Sequence, residues 1–410
     1  MEKKHIFIVG AKSIGQYGGY ETFVNKLTEY HKDCDQIKYH VACKANGSGC
    51  MDETKLEGVS NIQTDADGNV TDFEYNNAHA FKMKVPNIGP AVAIYYDVLS
   101  LNHAVKYCKE NNIQNAVFYI LACRIGPFMR SIKKKVKSVN GELYINPDGH
   151  EWLRDKWSSS VKRYWKYSEK QMVKHADLVV CDSKHIEEYI QDEYRNLHPR
   201  TTYISYGADN ENDNMANAEK DFQEWLDKTG YAPNGYYLMV GRFVPENNYA
   251  TVIEEFMKSK TDRKLVIITS ENEKHHQEIK EKTGFNKDDR ICFEDAIYNP
   301  GLLKKIRENA FGYIHGHEVG GTNPSLLEGM NSTKLNLLLG VGFNREVGGN
   351  AALYWYKNEG SLSGLIDQVE TFDEKTIDDY GAKAKDRIRQ HYTWQFIADE
   401  YMKLWRGEHV

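Results

Sequence analysis

The sequence lacks the cysteine pattern of a disulfide framework or of a zinc site. Its seven cysteines are odd in number and scattered along the chain, and no two of them form a Cys-x-x-Cys pair. Because such a pattern is typical of reduced thiols, we expect a cytoplasmic protein without disulfide bonds or bound zinc.

Long apolar runs are also absent. No stretch approaches the roughly 20 apolar residues that a membrane-spanning helix needs. The N-terminal Met-Glu-Lys-Lys leads directly into a short predicted strand, without the features of a signal peptide. The net charge of −6 gives no reason to expect a nucleic-acid partner. The chain has 410 residues, of which 40% are hydrophobic and 27% are charged. This length and composition predict a globular protein of two or three domains.

Familiar nucleotide and metal motifs are missing as well. The glycine-rich loop at 10–22 is neither Gly-x-Gly-x-x-Gly nor a P-loop ending in Gly-Lys-Ser/Thr, although its backbone N–H groups can still meet a phosphate. One Asp-x-Asp pattern, formed by Asp65 and Asp67, lies among turn-forming residues. We therefore interpret it as a hairpin turn rather than a metal site.

The chain does contain a repeated alternation of short apolar strands and helical segments. Because the alternation occurs twice, it predicts an α/β protein with two doubly wound domains that face a cleft, joined by a polar linker at 209–220. A last amphipathic pattern at 392–405 predicts a C-terminal helix. The predicted strands lie at 5–9, 39–43, 116–121, 143–145 and 178–181 in the first half, and at 235–240, 264–269, 290–293, 311–315 and 335–339 in the second.

The stretch 315–330 combines several features of a ligand site. Two adjacent glycines, Gly320 and Gly321, follow a predicted strand and let the backbone approach a ligand closely. Thr322 or Asn323 can cap the helix that follows, and the N-terminus of a helix attracts an anion such as phosphate. Glu328, one turn into that helix, can accept hydrogen bonds from sugar hydroxyls. The alternative is an ordinary strand-to-helix turn.

Two further stretches in the first half carry chemistry. The predicted strand at 143–145 ends in Asn-Pro-Asp-Gly-His-Glu-Trp, and open α/β sheets bind their ligands at the carboxyl ends of strands. Basic and aromatic residues are mixed at 128–137 and at 152–167, which suits an anionic membrane surface. The alternative for these two stretches is a pair of surface helices with solvated charges.

Together these features resemble a retaining GT-B glycosyltransferase, a class with two Rossmann-like domains. Within it the chain is similar to bacterial rhamnosyltransferases, which build capsular and cell-wall polysaccharides from TDP-L-rhamnose. The likeness runs over about residues 6–404. The central Gly-Arg-Phe-Val-Pro-Glu at 241–246 carries the likeness to the broad GT-B class. The motifs that carry the likeness to rhamnosyltransferases are Gly-Gly-Tyr-Glu-Thr at 18–22, Cys-Arg-Ile-Gly-Pro-Phe at 123–128, Asp-Gly-His-Glu-Trp at 148–152 with Lys-Trp at 156–157, Gly-Gly-Thr-Asn-Pro-Ser-Leu-Leu-Glu at 320–328, and Val-Gly-Phe-Asn-Arg-Glu-Val-Gly at 341–348 with Ala-Ala-Leu-Tyr at 351–354.

The resemblance implies domain boundaries and site residues. An acceptor domain spans 1–208, with the helix at 392–410 packing back on it, and a nucleotide-sugar domain spans 209–391. The implied catalytic residues are Arg242, which would neutralise the donor diphosphate, and Asp148 and His150, which would contact sugar hydroxyls. The implied donor site consists of Gly18, Gly19, Arg242, Asn247, Gly320, Gly321, Thr322, Asn323 and Glu328, and the implied acceptor site of Tyr20, Glu21, Arg124 and Glu151.

Two positions depart from the pattern of the broad family. The lysine expected five residues after Arg242 is Asn247, and the glutamate expected eight residues before Glu328 is Gly320. Both departures also occur in the rhamnosyltransferase branch. Glu318 is close to position 320 but out of register, so we do not assign it the role of the glutamate expected there. Without an Asp-x-Asp metal site, Arg242 and helix N-termini must supply the positive charge for a departing diphosphate.

The resemblance thus implies a hexosyltransferase that needs no metal or cofactor. It would move L-rhamnose from TDP-L-rhamnose to a lipid-linked saccharide, with retention, as a peripheral protein at the inner face of the cell membrane. The departing phosphate would assist the acceptor hydroxyl. Three alternatives stay open, namely a hexosyltransferase with another nucleotide sugar, a nucleotide-sugar epimerase, and a catalytically silent GT-B partner that binds a glycan. Product from donor alone would indicate the epimerase, whereas donor hydrolysis or transfer would exclude the silent partner.

Overall fold

The computed structural model describes residues 3–16, 18–208 and 217–408. The chain divides into two compact units, and we call Met1–Ser205 with Trp394–Val410 unit 1 and Tyr206–Thr393 unit 2. Every strand predicted from the sequence is present, with bounds shifted by at most two residues. Of the predicted linker at 209–220, residues 209–216 lie outside the described residues, and residues 218–220 form the first turn of a helix instead.

Unit 1 is built on a sheet that is parallel over most of its width. The strand order is β3-β4-β5-β2-β1-β6-β7-β8-β9, and the neighbours from β5 to β9 pair in parallel. Central strands such as Val117–Leu121 are buried throughout, because helices cover both faces of a parallel sheet. The elements are β1 (Lys4–Val9), α1 (Gly19–Tyr30), β2 (Ile37–Lys44), β3 (Ser60–Thr64), β4 (Val70–Tyr75), β5 (Ala78–Met83), α2 (Val92–Glu110), β6 (Val117–Leu121), α3 (Met129–Lys137), β7 (Glu142–Asn146), α4 (Ser159–His175), β8 (Leu178–Cys181), α5 (Lys184–Glu193) and β9 (Thr201–Tyr203).

The sequence did not predict the antiparallel extension formed by β3, β4 and β5. Every residue of β3 is exposed, so this strand has no alternating apolar pattern to reveal it. The turn between β3 and β4 contains the Asp-x-Asp pattern. The Asp65 carboxylate accepts hydrogen bonds from the backbone N–H groups of Asp67 and Asn69, at 3.0 and 2.9 Å. The hairpin-turn interpretation is therefore confirmed.

Unit 2 is a second parallel sheet flanked by helices. Its strand order is β12-β11-β10-β13-β14-β15, and all five neighbouring pairs are parallel. The elements are α6 (Ala218–Thr229), β10 (Tyr236–Val240), α7 (Tyr249–Lys258), β11 (Lys264–Thr269), α8 (Glu273–Thr283), β12 (Ile291–Asp295), α9 (Pro300–Glu308), β13 (Gly312–His315), α10 (Pro324–Ser332), β14 (Leu335–Leu339), α11 (Gly342–Gly348), β15 (Leu353–Trp355), α12 (Ser361–Val369) and α13 (Glu374–His391).

The C-terminal helix α14 (Trp394–Trp405) belongs to unit 1, as predicted. A buried chain of hydrogen bonds holds it there. Trp405 Nε1 donates to the Tyr39 hydroxyl at 2.9 Å, and His31 contacts that hydroxyl at 2.7 Å and the Ala398 carbonyl at 3.0 Å. Burial lowers the pKa of His31 to about 4, so the ring is neutral at pH 7. One ring nitrogen can then accept from Tyr39 while the other donates to Ala398.

In each sheet the strand order reverses at a central strand, β1 in unit 1 and β10 in unit 2. The neighbours of β1 are β2 and β6, and the neighbours of β10 are β11 and β13. Successive connections therefore leave in opposite directions, and the loops after the two central strands open a crevice at the carboxyl edge. We call residues 10–16, 18–21, 122–126 and 147–151 the unit 1 crevice, and residues 241–248 with 316–323 the unit 2 crevice.

Candidate functional site

Arg242 lies in the loop that follows β10 in the unit 2 crevice. Its side chain is exposed, and within residues 3–16, 18–208 and 217–408 its guanidinium group forms no hydrogen bond or ion pair. Because β10 pairs in parallel with β13, Arg242 emerges at the same edge as the glycine-rich loop at 316–323. The structure thus presents a guanidinium group available to a ligand where the sequence predicts a phosphate contact.

Asn247 joins the two loops of this crevice. Its Nδ2 donates to the Arg242 carbonyl at 2.6 Å, and its Oδ1 accepts from His317 Nδ1 at 2.7 Å. A Cβ on Gly316 would lie 2.3 Å from the Asn247 carbonyl oxygen, so only glycine fits there. The buried Asn247 side chain therefore holds the two loops together. Its predicted contact with the donor stays a prediction.

The glycine-rich loop ends in a capped helix. Asn323 is the N-cap of α10, and its side chain accepts from the Ser325 N–H at 2.9 Å. The Leu326 N–H is taken by the Asn323 carbonyl, so the first turn of α10 has fewer free donors than the sequence suggests. In the described chain, the N–H groups of Gly320 and Gly321 donate no backbone hydrogen bond. These two N–H groups therefore have no backbone acceptor within the described residues.

Gly320 is required by its backbone geometry. Its φ of +144° is a conformation that residues with a side chain rarely adopt. The neighbouring residues Gly321 and Thr322 are buried. Glu318 forms an ion pair with Lys357. This pairing agrees with not assigning Glu318 the role of the glutamate that the broad family carries at the position of Gly320.

Glu328 lies one turn into α10, and half of its side chain is exposed. One of its carboxylate oxygens, Oε2, forms an ion pair with a guanidinium nitrogen of Arg307 at 2.6 Å. No local pattern indicates this pairing, because Arg307 lies on α9 and is separated from Glu328 by a strand and a loop. Glu328 thus has a structural partner in addition to any ligand.

The unit 1 crevice brings together Tyr20, Arg124 and Asp148. The guanidinium group of Arg124 donates to Asp97 Oδ2 at 3.0 Å and to the Gly10 carbonyl at 3.2 Å. Burial raises the pKa of Asp97 to about 6, although Arg124 opposes the shift. Arg124 is therefore held by a buried carboxylate that the sequence reasoning missed.

Tyr20 and Asp148 form the polar lining of this crevice. The Tyr20 hydroxyl is buried and lies beside the Asp148 carboxylate. Burial and the nearby Asp148 carboxylate raise the pKa of Tyr20 well above its ordinary value. Asp148 has a left-handed φ of +60°, and its N–H donates to Asn146 Oδ1 at 2.7 Å. An acceptor hydroxyl that reached this point would meet both a hydroxyl and a carboxylate.

Glu21 contacts the loop that contains the glycine pair Gly18 and Gly19 at the start of α1. The Glu21 carboxylate accepts from the Lys12 N–H at 2.9 Å and so closes the loop that follows β1. A Cβ on Gly18 would lie 2.1 Å from Glu21 Oε2, whereas the space around Gly19 is open. Glu21 is thus engaged within the loop, and its predicted acceptor contact stays a prediction.

His150 and Glu151 lie further along the loop that follows β7. The His150 ring packs on Tyr189 with centroids 4.2 Å apart, and burial together with His185 lowers the pKa of His150 to about 4. This ring is therefore neutral at pH 7. The Glu151 carboxylate accepts from Trp157 Nε1 at 2.9 Å and pairs with neighbouring basic residues, so it organises its own segment.

The sequence did not indicate three partners of the candidate site residues: Asp97 for Arg124, Arg307 for Glu328 and His317 for Asn247. Each acts through a residue distant in the chain, and no local pattern marks such a pairing. Among the described residues, no group of three or more His, Cys, Asp or Glu side chains is placed to hold a metal ion.

Solved structures share this fold over nearly the whole chain. A glycosyltransferase from Rickettsia africae has a TM-score of 0.73 at 14% identity, covering 100% of this chain and 99% of that chain. Sucrose-phosphate synthase from Thermosynechococcus elongatus has a TM-score of 0.72 at 13% identity, covering 99% of each chain. HepE from Anabaena in complex with UDP has a TM-score of 0.66 at 14% identity, covering 98% of this chain and 100% of that chain.

These similarities show the fold, which is that of the GT-B glycosyltransferases, with two Rossmann-like units in one chain. The predicted fold class is therefore confirmed. No curated protein matches the sequence. A family model described as "Domain of unknown function (DUF1972)" matches residues 3–209. Because this match covers half of the 410 residues, the chain belongs to the DUF1972 family.

Proposed function

We propose that this protein is a retaining glycosyltransferase that transfers L-rhamnose from TDP-L-rhamnose to a lipid-linked saccharide. The observation that carries the proposal is the unit 2 crevice, where the unpaired guanidinium group of Arg242 lies at the same sheet edge as the N–H groups of Gly320 and Gly321. Charge-assisted hydrogen bonds from arginine and backbone N–H groups are the usual ligands of a diphosphate. The structural similarity to HepE, which was solved with UDP, supports a nucleotide ligand.

The same groups suit the chemistry of transfer. When the bond between sugar and diphosphate breaks, negative charge grows on the diphosphate oxygens. Donors fixed in advance stabilise that charge without reorganising during the reaction. Asn247 fixes the loop that carries Arg242 through its hydrogen bond to the Arg242 carbonyl. The protein can therefore stabilise the leaving group with its own side chains and backbone.

The unit 1 crevice supports the binding of a hydroxylated acceptor. Asp148 supplies a carboxylate that can accept from a sugar hydroxyl, and the Tyr20 hydroxyl lies beside it. The neutral His150 ring can donate or accept a hydrogen bond at pH 7. These groups suit sugar hydroxyls.

The assignment of rhamnose and of TDP rests on the sequence resemblance to bacterial rhamnosyltransferases. The membrane-bound acceptor rests on the same resemblance and on the surface of unit 1. None of the described helices has the length and apolar character to cross a bilayer. Arg130, Lys134 and Lys137 on α3 are exposed, and so are the aromatic side chains of Phe128 and Tyr167. Basic and aromatic groups together favour reversible binding to an anionic membrane face.

A panel of nucleotide sugars tests the proposal. We expect TDP-L-rhamnose to raise the melting temperature of the purified protein more than UDP-glucose or GDP-mannose does. We also expect release of TDP to accelerate when a lipid-linked saccharide is added. Conversion of the donor into another nucleotide sugar, without any acceptor, would indicate an epimerase instead. Absence of both a thermal shift and donor hydrolysis would leave a glycan-binding partner without catalytic activity.

A further inference from the structure

Three histidine side chains and a carboxylate form a hydrogen-bonded row across the sheet of unit 1. His5 Nδ1 lies 2.8 Å from His40 Nε2, and His40 Nδ1 lies 3.0 Å from His79 Nδ1. His79 Nε2 lies 2.8 Å from Oδ1 of Asp72. The four residues lie on β1, β2, β5 and β4, which are successive neighbours in the sheet. We call these four residues the imidazole row.

The imidazole row lies away from the unit 1 crevice. His5 and His79 are each the second residue of their strand, near the amino ends of β1 and β5. The crevice begins at Gly10, and the rise of a strand places it roughly 16 Å from His5 along the chain. The row is therefore separate from the proposed site, and an inference about it does not rest on the proposed function.

Hydrogen bonding fixes where the protons of the neutral row lie. Each contact needs one proton between its two atoms, and a carboxylate can only accept, so His79 donates to Asp72 from Nε2. A neutral His79 then has a bare Nδ1, to which His40 must donate from its own Nδ1. His40 Nε2 is bare in turn and accepts from His5 Nδ1. With three neutral rings, the row has this single arrangement.

The charges within the row are set at its Asp72 end. Burial opposes the charge on Asp72, but the hydrogen bond from His79 outweighs burial and lowers the pKa of this carboxyl. His40, in the middle, is only 1% exposed, and burial lowers its pKa well below the ordinary value. A positive charge in the row is therefore most stable on His79, beside the Asp72 carboxylate.

One added proton fits into the row without the loss of a hydrogen bond. It binds from water to Nε2 of His5, which is partly exposed. The Nδ1 proton of His5 then passes to His40 Nε2, and the Nδ1 proton of His40 passes to His79 Nδ1. His5 and His40 are neutral again as the opposite tautomers, and His79 carries the charge.

A second proton on the rings has no such place. Two charged rings and one neutral ring carry five N–H groups, whereas the three contacts and His5 Nε2 together hold four. One contact would then contain two protons, and its hydrogen bond would be lost. The geometry therefore sets the capacity of the three rings at one proton.

The other titratable groups that face the row lie on β2, β4 and α2. Lys38 and Glu74 form an ion pair, so their charges offset each other. The Tyr107 ring stacks on His79 with centroids 5.1 Å apart. The remaining groups on α2 are His103, whose pKa is lowered by burial, and the ion pair of Lys106 with Glu110. Asp72 thus remains the carboxylate in direct contact with the row.

We propose that the imidazole row is a pH-sensitive element of unit 1 that binds one proton, taken up at His5 and held at His79. Uptake reverses both hydrogen bonds between the rings while the rings keep their positions. It places one additional positive charge inside unit 1.

Nitrogen NMR of the full-length protein with isotope-labelled histidine tests the inference, with signals assigned by replacing each histidine in turn with glutamine. At alkaline pH we expect the proton on Nδ1 in His5 and His40, and on Nε2 in His79. On acidification the three rings should change at one common midpoint, within about 1.5 units of the ordinary histidine pKa of about 6.5. Together they should gain one proton.

Two variants separate the role of Asp72 from a general effect of charge. Asp72→Asn keeps an oxygen that accepts from His79 but removes the negative charge, so the alkaline tautomers should persist and the common midpoint should fall by about 1–2 units. Asp67→Asn removes an equal charge from the exposed turn of the same hairpin. Its midpoint should shift by less than about 0.3 units.

Three results would overturn the inference. The first is a wild-type protein in which His40 carries its alkaline proton on Nε2. The second is a set of independent midpoints, or an uptake other than one proton before acid unfolding. Neither needs a variant, should Asp72→Asn not fold. The third is a folded Asp72→Asn protein with an unchanged midpoint. All three leave the proposed function intact, because the row lies outside both crevices.

Discussion

Replacing Arg242 tests the centre of the proposed donor site. The side chain is exposed and forms no ion pair within the described residues, so Arg242→Ala should change the free energy of unfolding by no more than about 0.5 kcal/mol. A charge-assisted hydrogen bond to the diphosphate contributes about 1.5–3 kcal/mol. Its loss should weaken the binding of thymidine diphosphate roughly 10- to 150-fold. Turnover of the donor should fall at least as far, because charge on the diphosphate grows in the transition state.

The assay compares two ligands and three variants. Calorimetry with thymidine diphosphate and with thymidine separates a phosphate contact from a base or sugar contact, since Arg242→Ala should weaken only the diphosphate. Arg242→Lys should recover part of the loss, because it restores the charge but not the paired N–H groups of arginine. Arg389→Ala is a matched control, since Arg389 is an exposed arginine of α13 that pairs with Asp386. Undiminished diphosphate binding in Arg242→Ala, or an equal loss for thymidine, would refute the reasoning.

Three other predictions follow from the structure. Asn247→Lys restores the lysine of the broad family but breaks one buried and one partly buried hydrogen bond. We therefore expect a loss of about 2–4 kcal/mol in unfolding free energy and no tighter nucleotide binding, and a stable variant with improved affinity would contradict this. The pKa of His31 is about 4 in the folded protein and about 6.5 in the unfolded chain. The free energy of unfolding that this difference contributes is therefore fully present above pH 6.5 and is lost as the pH falls towards 4. Denaturant unfolding should reveal a decline of up to about 3 kcal/mol over this range, which His31→Gln should flatten; a slope shared by both proteins would count against the assignment. Changing both Lys134 and Lys137 to Ser should reduce binding to anionic vesicles roughly 30-fold at low salt, as measured by sedimentation, and equal pelleting on neutral vesicles would argue against a membrane role for α3.

Much of the architecture followed from local pattern. The apolar runs that became the central strands were visible in the sequence, because a parallel sheet buries both faces of its strands. The start of α10 was visible too, since an Asn-Pro pair supplies a cap and a first helical residue within two positions. These features depend on neighbours in the chain, which is why the sequence alone predicts them.

The roles of individual side chains were decided by contacts between distant segments. In the sequence, Asn247 is noticeable only because the broad family has a lysine at this position. In the fold, its side chain lies between the Arg242 carbonyl and His317. Glu328 reads as an open carboxylate, but the packing of α9 against α10 gives it a buried arginine as a partner. Buried polar groups almost always form hydrogen bonds. The packing of distant segments therefore determines which polar groups have a partner within the protein. Local patterns were therefore enough to predict which loops carry the candidate sites, whereas long-range packing sets which atoms of those loops are engaged by the protein itself.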